Sequence, residues 1–215
     1  MQSKYFYFIF IPAILLASFA LFIRIIQYEP LYPKVKKTTE ETTQINTITL
    51  FADDIIVGDK QAQQTIIGFK DLGCAQCNVQ TQMINKLIAT YPTKVNAVWK
   101  LLNVTKFPQS TETAHSYAYC ANKQQKYNEF SQGIAANSSN VSDAMLLLLA
   151  NESNLDQKKL TTCLADPSTA EYAQKVELLA RSLNIQAVPA FFFNNVQIRS
   201  PQSYEEWVTL LQLNN

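Results

Sequence analysis

The chain is nearly balanced in charge and has no long run of basic residues. Its 215 residues include 18 lysines and arginines and 17 aspartates and glutamates, for a formal net charge of +1. Basic side chains also do not alternate with aromatic ones, a pattern that nucleic-acid-binding surfaces often have. The composition therefore gives no support for nucleic-acid binding.

Metal-binding side chains are scarce. His115 is the only histidine, and the four cysteines are Cys74, Cys77, Cys120 and Cys163. A structural zinc site takes four ligands, usually from two closely spaced pairs, and only the first two cysteines form such a pair. The sequence therefore predicts no metal site and no cofactor, and the lone histidine is expected to be a surface or packed residue.

Charged side chains are also missing near the N-terminus, between Tyr5 and Ile23. A helix of this length would span roughly 28 Å, enough for a tilted helix or a slightly thinned bilayer. A cleaved signal peptide is the alternative, because Ser18-Phe19-Ala20 offers small residues before a possible cleavage point. Since the apolar run continues past that point, we expect residues 1–27 to form an uncleaved signal anchor that crosses the membrane.

Residues 28–46 are predicted to be a tether, because they contain two prolines and several lysines and threonines without apolar periodicity. The domain beyond, residues 47–215, is expected to lie outside the cytoplasm, in the periplasm or at the cell exterior. A short tail before a single apolar segment usually acts as a signal sequence, and four cysteines suit an oxidising compartment. Counted alone, the basic residues after the apolar segment favour the opposite orientation, with the C-terminal part in the cytoplasm.

The motif Cys74-Ala75-Gln76-Cys77 follows a predicted strand and opens a predicted helix. The apolar run Thr65–Phe69 indicates the strand, and apolar residues at helical spacing from Asn78 indicate a helix that stops at Tyr91-Pro92. Two thiols at this spacing can exchange disulfides, and a helix N-terminus lowers the pKa of the first thiol. The arrangement favours a redox site over a structural pair.

Further elements surround this motif. Thr47–Phe51 is predicted to be an edge strand, and Val95–Leu102 a strand parallel to the first, reached by a right-handed crossover. Residues from about 105 to 170 are predicted to form a helical insertion, and a helix over Ser168–Leu183 leads out of it.

The C-terminal part predicts a hairpin and a last helix. Ala190–Phe193 and Val196–Ile198 flank Asn194-Asn195, a dipeptide that tolerates positive φ at both positions of a two-residue turn. Ser203–Leu213 is predicted to be helical. Its inward residues are expected to be Trp207, Leu210 and Leu211.

Three segments carry a family pattern. They are Gly58-Asp59 leading to Ala62, the Phe69-x-Asp71-x-x-Cys74-x-x-Cys77 segment, and Asn184 to Asn194 with Val188-Pro189 inside it. With these residues, roughly positions 48 to 215 resemble the DsbA-like branch of the thioredoxin superfamily. The resemblance implies an α/β thioredoxin fold into which a helical domain is inserted.

The resemblance also implies roles for four residues. Cys74 and Cys77 would be the catalytic pair, and Val188-Pro189 would carry a cis X-Pro bond beside them. The backbone at Val188 would bind an extended substrate segment while sulfurs exchange. Valine before the proline is similar to the oxidase members of the family.

Two departures from the family pattern point to a milder oxidant. The family often has a glutamate six residues before the first cysteine, where this chain has Gly68, so Asp71 or water would have to serve as proton relay. Ala75-Gln76 lacks the histidine of strongly oxidising members. Thiolate stabilisation at Cys74 is then left to the helix N-terminus and backbone N–H groups.

Cys120 and Cys163 lie in the predicted helical insertion. They are expected to form a structural disulfide, which would close a long loop and contribute roughly 4 kcal/mol in the chain-entropy description. The alternative is a pair of free buried thiols.

The functional prediction is a membrane-anchored thiol:disulfide oxidoreductase that donates the Cys74-Cys77 disulfide to cysteine-containing exported proteins. A membrane redox partner would then reset the active-site disulfide. A tethered reductase is the first alternative, and a non-enzymatic metal carrier or adaptor is the second. Signal cleavage would instead give a secreted protein.

Overall fold

The computed structural model of the chain describes residues 14–23, 48–106, 110–137 and 141–214. The chain divides into an N-terminal unit, Met1–Gln44, and a C-terminal unit, Ile45–Asn215. In the N-terminal unit residues 14–23 are helical, and their large apolar side chains are exposed. The rest of the predicted anchor over 1–27, and the whole predicted tether over 28–46, lie outside the described residues. None of the helices in the described ranges combines the length and the apolar character that a membrane span requires.

The described residues of the C-terminal unit contain one mixed sheet, in the strand order β1-β3-β2-β4-β5. The strands are β1 Ile55–Val57, β2 Gln64–Lys70, β3 Val95–Leu101, β4 Ala190–Phe193 and β5 Val196–Ile198. Only β2 and β3 pair in parallel, whereas the other neighbours are antiparallel. β2 is the central strand, and the chain that leaves its C-terminal end leads into the loop that carries Cys74.

Helices cover this sheet and fill the connection after β3. Within the described residues they are α1 Ala75–Thr90, α2 Glu112–Lys123, α3 Tyr127–Ala136, α4 Asp143–Glu152, α5 Gln157–Ala165, α6 Pro167–Ser182 and α7 Tyr204–Leu210. The inserted helices are α2 to α5, between β3 and α6. The expected α/β fold with a helical insertion is confirmed.

Local signals explain where the key elements begin and turn. Asp166 caps α6 with its side chain and Pro167 occupies the first helical position, where a missing N–H costs nothing. Asn194 and Asn195 have φ of 51° and 63°, so the hairpin between β4 and β5 has the positive φ values predicted for it. The helix after Cys74 ends at Tyr91, as predicted.

Two predictions about the elements are wrong. Residues 48–51 of the predicted edge strand Thr47–Phe51 are not in a strand; the strand at this edge is β1. The N–H of Ile48 donates to the Asn195 side chain at 3.1 Å, and that of Phe51 donates to the Asp54 side chain at 2.7 Å, so these groups bond side chains rather than a neighbouring strand. Leu210 is 36% exposed, because α7 ends there and the chain turns at Leu211 to bury Leu211 and Leu213 instead.

Candidate active site

Cys74 and Cys77 form a disulfide at the start of α1, with Cα atoms 5.2 Å apart. Cys74 is the N-cap of the helix: its backbone is extended (φ −87°, ψ 113°), and its Sγ accepts a hydrogen bond from the Cys77 N–H at 3.1 Å. Cys74 is half-buried, whereas Cys77 is 1% exposed. The sulfur of Cys74 is therefore the accessible one of the two.

The electrostatics at this helix end favour negative charge on Cys74. The partial positive charge of a helix N-terminus stabilises a thiolate in the cap position once the disulfide opens. The first turn of α1 contains no acidic residue that would oppose this effect. Ala75 and Gln76 are exposed and supply no cation.

The Val188-Pro189 segment lies against this sulfur. The peptide bond between the two residues is cis. The Val188 carbonyl oxygen is 3.9 Å from Cys74 Sγ, and both residues of the segment are half-buried. The structure thus brings together the two parts of the predicted site, the cysteine pair and the proline loop, next to an accessible backbone.

Asp71 is fully buried between β2 and the cysteine loop, where it holds several chain segments together. Its Oδ1 accepts hydrogen bonds from the Gly73 N–H at 2.9 Å and the Thr111 hydroxyl at 2.7 Å. Its Oδ2 accepts from the N–H groups of Val104 at 2.8 Å and Thr105 at 2.6 Å. Four donors fill the acceptor positions of the carboxylate, so Asp71 anchors the loop that carries Cys74.

His115 is also part of this cluster and is buried. Its Nε2 lies 3.2 Å from the Leu72 N–H and 3.3 Å from Asp71 Oδ1. One nitrogen cannot accept from the first and donate to the second at once, so only one of these two contacts is a hydrogen bond at a time. Burial alone would raise the pKa of Asp71, but the contact and charge of His115, with the N–H groups of Thr105 and Gly73, hold that pKa well below its usual range. The proton-relay role of Asp71 stays a prediction, and the geometry favours an anchoring role.

Position 68 has no space for a side chain. A Cβ atom built on Gly68 would lie 2.5 Å from Cζ3 of Trp99 and 3.0 Å from Cε1 of Phe191. The Trp99 indole therefore fills the volume into which a longer residue at this position would point.

The sequence does not single out Lys70, which is hydrogen-bonded to the helix that Cys74 caps. Lys70 is the last residue of β2 and is 1% exposed. Its Nζ donates to the Thr81 hydroxyl at 3.0 Å, and that hydroxyl donates to the Cys77 carbonyl at 2.8 Å. The available signal was the alternation of side chains along a strand, which gives residue 70 the same face as residue 68 if β2 extends one residue beyond Phe69.

Cys120 in α2 and Cys163 in α5 are joined by a disulfide, with Cα atoms 5.8 Å apart. Cys120 is completely buried. The bond links two helices of the insertion. In the described part of the chain, no group of three or more histidine, cysteine, aspartate or glutamate side chains could hold a metal ion.

A mixed sheet with an accessible helix-capping cysteine disulfide and a cis-proline loop beside it defines a thioredoxin-fold disulfide-exchange protein. The family described as thioredoxin (Thioredoxin_4) matches residues 51–212. The chain belongs to this family, and its Cys74-Cys77 disulfide has the position and geometry required for thiol–disulfide exchange.

Solved structures share the fold at low sequence identity. The catalytic domain of ScsC from Proteus mirabilis is 18% identical, with 77% of this chain and 91% of that chain covered and a TM-score of 0.67. A periplasmic thioredoxin-like protein from Salmonella enterica serovar Typhimurium is 16% identical (77% and 92% covered, TM-score 0.64). The thiol-disulfide exchange protein alpha-DsbA2 from Wolbachia pipientis is 14% identical (76% and 88% covered, TM-score 0.67).

A curated relative extends well beyond this chain. The Na(+)/H(+) antiporter NhaA 3 of Salinispora tropica is 27% identical over 153 residues, which cover 71% of this chain. The matched part is 23% of that protein's length.

Proposed function

We propose that this protein donates the Cys74-Cys77 disulfide to exported proteins outside the cytoplasm. The single observation that carries this proposal is the position of the Cys74 sulfur, which is half-buried, caps α1 and lies 3.9 Å from the Val188 carbonyl. An attacking thiolate can reach this sulfur, whereas Cys77 is enclosed.

The exchange proceeds in two steps that conserve electrons. A client thiolate attacks Cys74 Sγ, the Cys74–Cys77 bond breaks, and its electron pair goes to the Cys77 sulfur. A second client thiolate then attacks the client sulfur of this mixed disulfide and releases the Cys74 thiolate. The client gains a disulfide and the enzyme is left as a dithiol, which a membrane redox partner must oxidise again.

Val188 and Pro189 hold the client during this exchange. An extended segment that pairs with the backbone at Val188 would run past the Cys74 sulfur, in the manner of an added strand. The cysteine of the client would then be presented to Cys74 by hydrogen bonds that do not depend on its sequence.

An N-terminal anchor and an extracytoplasmic domain complete the proposal. The large apolar side chains on the helix over residues 14–23 favour insertion into lipid. The two disulfides favour an oxidising compartment. A secreted form after signal cleavage is the alternative outcome.

The test is oxidation of a reduced, unfolded client such as ribonuclease by stoichiometric oxidised protein, followed by return of client activity. We expect one client disulfide per Cys74-Cys77 pair and no transfer by Cys74→Ser. Efficient reduction of insulin with no client oxidation would instead support the reductase, which the lack of a cation at Ala75-Gln76 favours as second candidate.

A further inference from the structure

Lys70 is a buried cation without an acidic partner. Its Nζ has one hydrogen-bond acceptor, the Thr81 hydroxyl, and lies 4.3 Å from the ring centroid of Trp99 and 5.5 Å from that of Tyr127. Across the described ranges no aspartate or glutamate forms an ion pair with it. An ammonium group in such a place loses most of its hydration, so burial favours the neutral amine over the ammonium ion.

Lys100 gives an internal comparison, because it is equally buried but paired. Its Nζ lies 2.6 Å from Asp54 Oδ2 and donates to the Thr49 carbonyl at 2.9 Å. Burial lowers the pKa of Lys100, and Asp54 offsets part of that effect. Burial lowers the pKa of Lys70 to about 7 with nothing to offset it. The two lysines therefore differ in whether an acidic partner offsets the effect of burial on the pKa.

The Lys70 amine is linked to the start of α1 by a chain of two hydrogen bonds. It donates to the Thr81 hydroxyl, which in turn donates to the backbone carbonyl of Cys77. Cys77 is 1% exposed, so water has little access to its sulfur. The charge of Lys70 is therefore linked to the Cys77 backbone by two hydrogen bonds, in surroundings where solvent screens charge poorly.

We propose that Lys70 is a positioning residue for the exchange at Cys74-Cys77. Its charge sets the stability of the thiolate that forms when the disulfide opens, and it acts through Thr81 and the backbone of Cys77. The inference rests on the proposed function, since it concerns the same exchange at the same sulfurs. Protonated Lys70 stabilises the thiolate that forms when the disulfide opens, and neutral Lys70 does not. The protein is therefore a stronger oxidant when Lys70 carries its proton.

The sequence of events follows from this. When a client thiolate breaks the Cys74–Cys77 bond, the electron pair leaves on the buried Cys77 sulfur. The ammonium at Lys70 lowers the energy of that thiolate, and the thiolate in turn makes Lys70 hold its proton more firmly. Reduction of the pair is then accompanied by uptake of a proton at Lys70 in the pH range where the amine was neutral.

Other ionisable groups near Lys70 do not supply this charge. The hydrogen bonds through Thr81 connect it to the backbone of Cys77 in α1, and Tyr127 faces it from α3. Burial raises the pKa of Tyr127, so that side chain stays neutral at neutral pH. Asp71 is the next residue along the chain, and its carboxylate is taken up by Thr111 and by N–H groups of the loops.

The test compares disulfide exchange with glutathione in wild type and variants from pH 5.5 to 9. The measured quantity is the fraction of Cys74-Cys77 in the disulfide form at equilibrium in glutathione buffers, read by mass after alkylation. The ratio of wild-type to variant equilibrium constants cancels the titration of glutathione itself. Lys70→Met removes the charge with a side chain of similar shape, and Lys100→Met is the matched control in a second buried lysine.

We expect the wild-type disulfide to be about tenfold more oxidising than Lys70→Met at pH 6, with the ratio approaching one at pH 9. The pH at which this ratio falls toward one is the transition that reports on Lys70. Thr81→Val leaves the amine without its acceptor and should move the transition to lower pH. Lys100→Met should leave the transition where it is.

A ratio that is close to one throughout, or that is constant with pH, would overturn the inference. Thr81→Val keeps the test valid if Lys70→Met does not fold, because an unmoved transition in that variant contradicts the inference equally. Failure of the proposed function appears differently, as a wild-type protein whose Cys74-Cys77 pair does not oxidise a client at any pH.

Discussion

The sulfur of Cys74 lies 3.9 Å from the carbonyl oxygen of Val188, although 114 residues separate them in the chain. The helical insertion and α6 lie within this separation, so the site is formed by residues from both sides of the insertion. In the proposed function, a client bound along the Val188 backbone would lie at Cys74, the more accessible sulfur of the pair.

Replacement of the enclosed cysteine should trap the client. In Cys77→Ser the free Cys74 thiolate can still attack the disulfide of an oxidised client and form a mixed disulfide. Because the variant has no second thiol to resolve this bond, covalent complexes should accumulate. Cys74→Ser is the matched variant and should form almost none, because Cys77 is 1% exposed. Non-reducing gels followed by mass spectrometry measure this. Equal trapping by the two variants would contradict the assignment of Cys74 as the reacting sulfur.

Gly68→Ala should lower stability through contact with Trp99. The added methyl would lie 2.5 Å from the indole, and overpacking of this kind costs about 1–3 kcal/mol of unfolding free energy. Urea unfolding measures the loss. A double-mutant cycle with Trp99→Phe should give a favourable coupling energy, since the smaller ring leaves room for the methyl. Additive effects of the two substitutions would show that contact with Trp99 is not what excludes a side chain at position 68.

Asp71→Asn should destabilise the protein by about 3 kcal/mol at pH 7, because an amide NH2 would then face N–H donors in a buried site. The folded pKa of Asp71 is below its unfolded value of 3.8, so its contribution is present above that value and is lost as pH falls below it. The variant should therefore show a flatter acid limb than wild type. Unfolding curves between pH 2.5 and 7 measure both effects, and an unchanged acid limb would contradict them.

Removal of the second disulfide should affect stability but not exchange. Cys120→Ala with Cys163→Ala opens a link between residues 43 apart in sequence, which corresponds to a loss of up to about 4 kcal/mol in the chain-entropy description. Thermal unfolding measures the loss. The glutathione equilibrium of Cys74-Cys77 serves as the control and should be unchanged, and a changed equilibrium would assign the second disulfide a part in exchange.

The features that could be predicted from the sequence are those set by short-range chemistry. Asn194-Asn195 encodes its own turn, the cysteine pair caps its own helix, and the order strand, helix, strand fixes the parallel pairing of β2 with β3. The position of the proline loop beside Cys74 follows from the family resemblance and not from a local sequence pattern.

The rest depends on long-range contacts that local patterns do not report. Residues 48–51 have the alternation of a strand, but side chains of Asn195 and Asp54 take up N–H groups of Ile48 and Phe51. Lys70 resembles the polar end of a strand, yet Trp99, Tyr127 and Thr81 from three other elements enclose it.

The reduction potential of the Cys74-Cys77 couple at pH 7 tests the oxidase assignment most directly. The reduction potential of thioredoxin is about −270 mV, and that of DsbA is about −120 mV. A cysteine that caps a helix, with Lys70 hydrogen-bonded to Thr81 of the same helix but no cation in the Ala75-Gln76 dipeptide, predicts a value between the two. A potential at or below that of thioredoxin would contradict the donation of this disulfide to exported proteins.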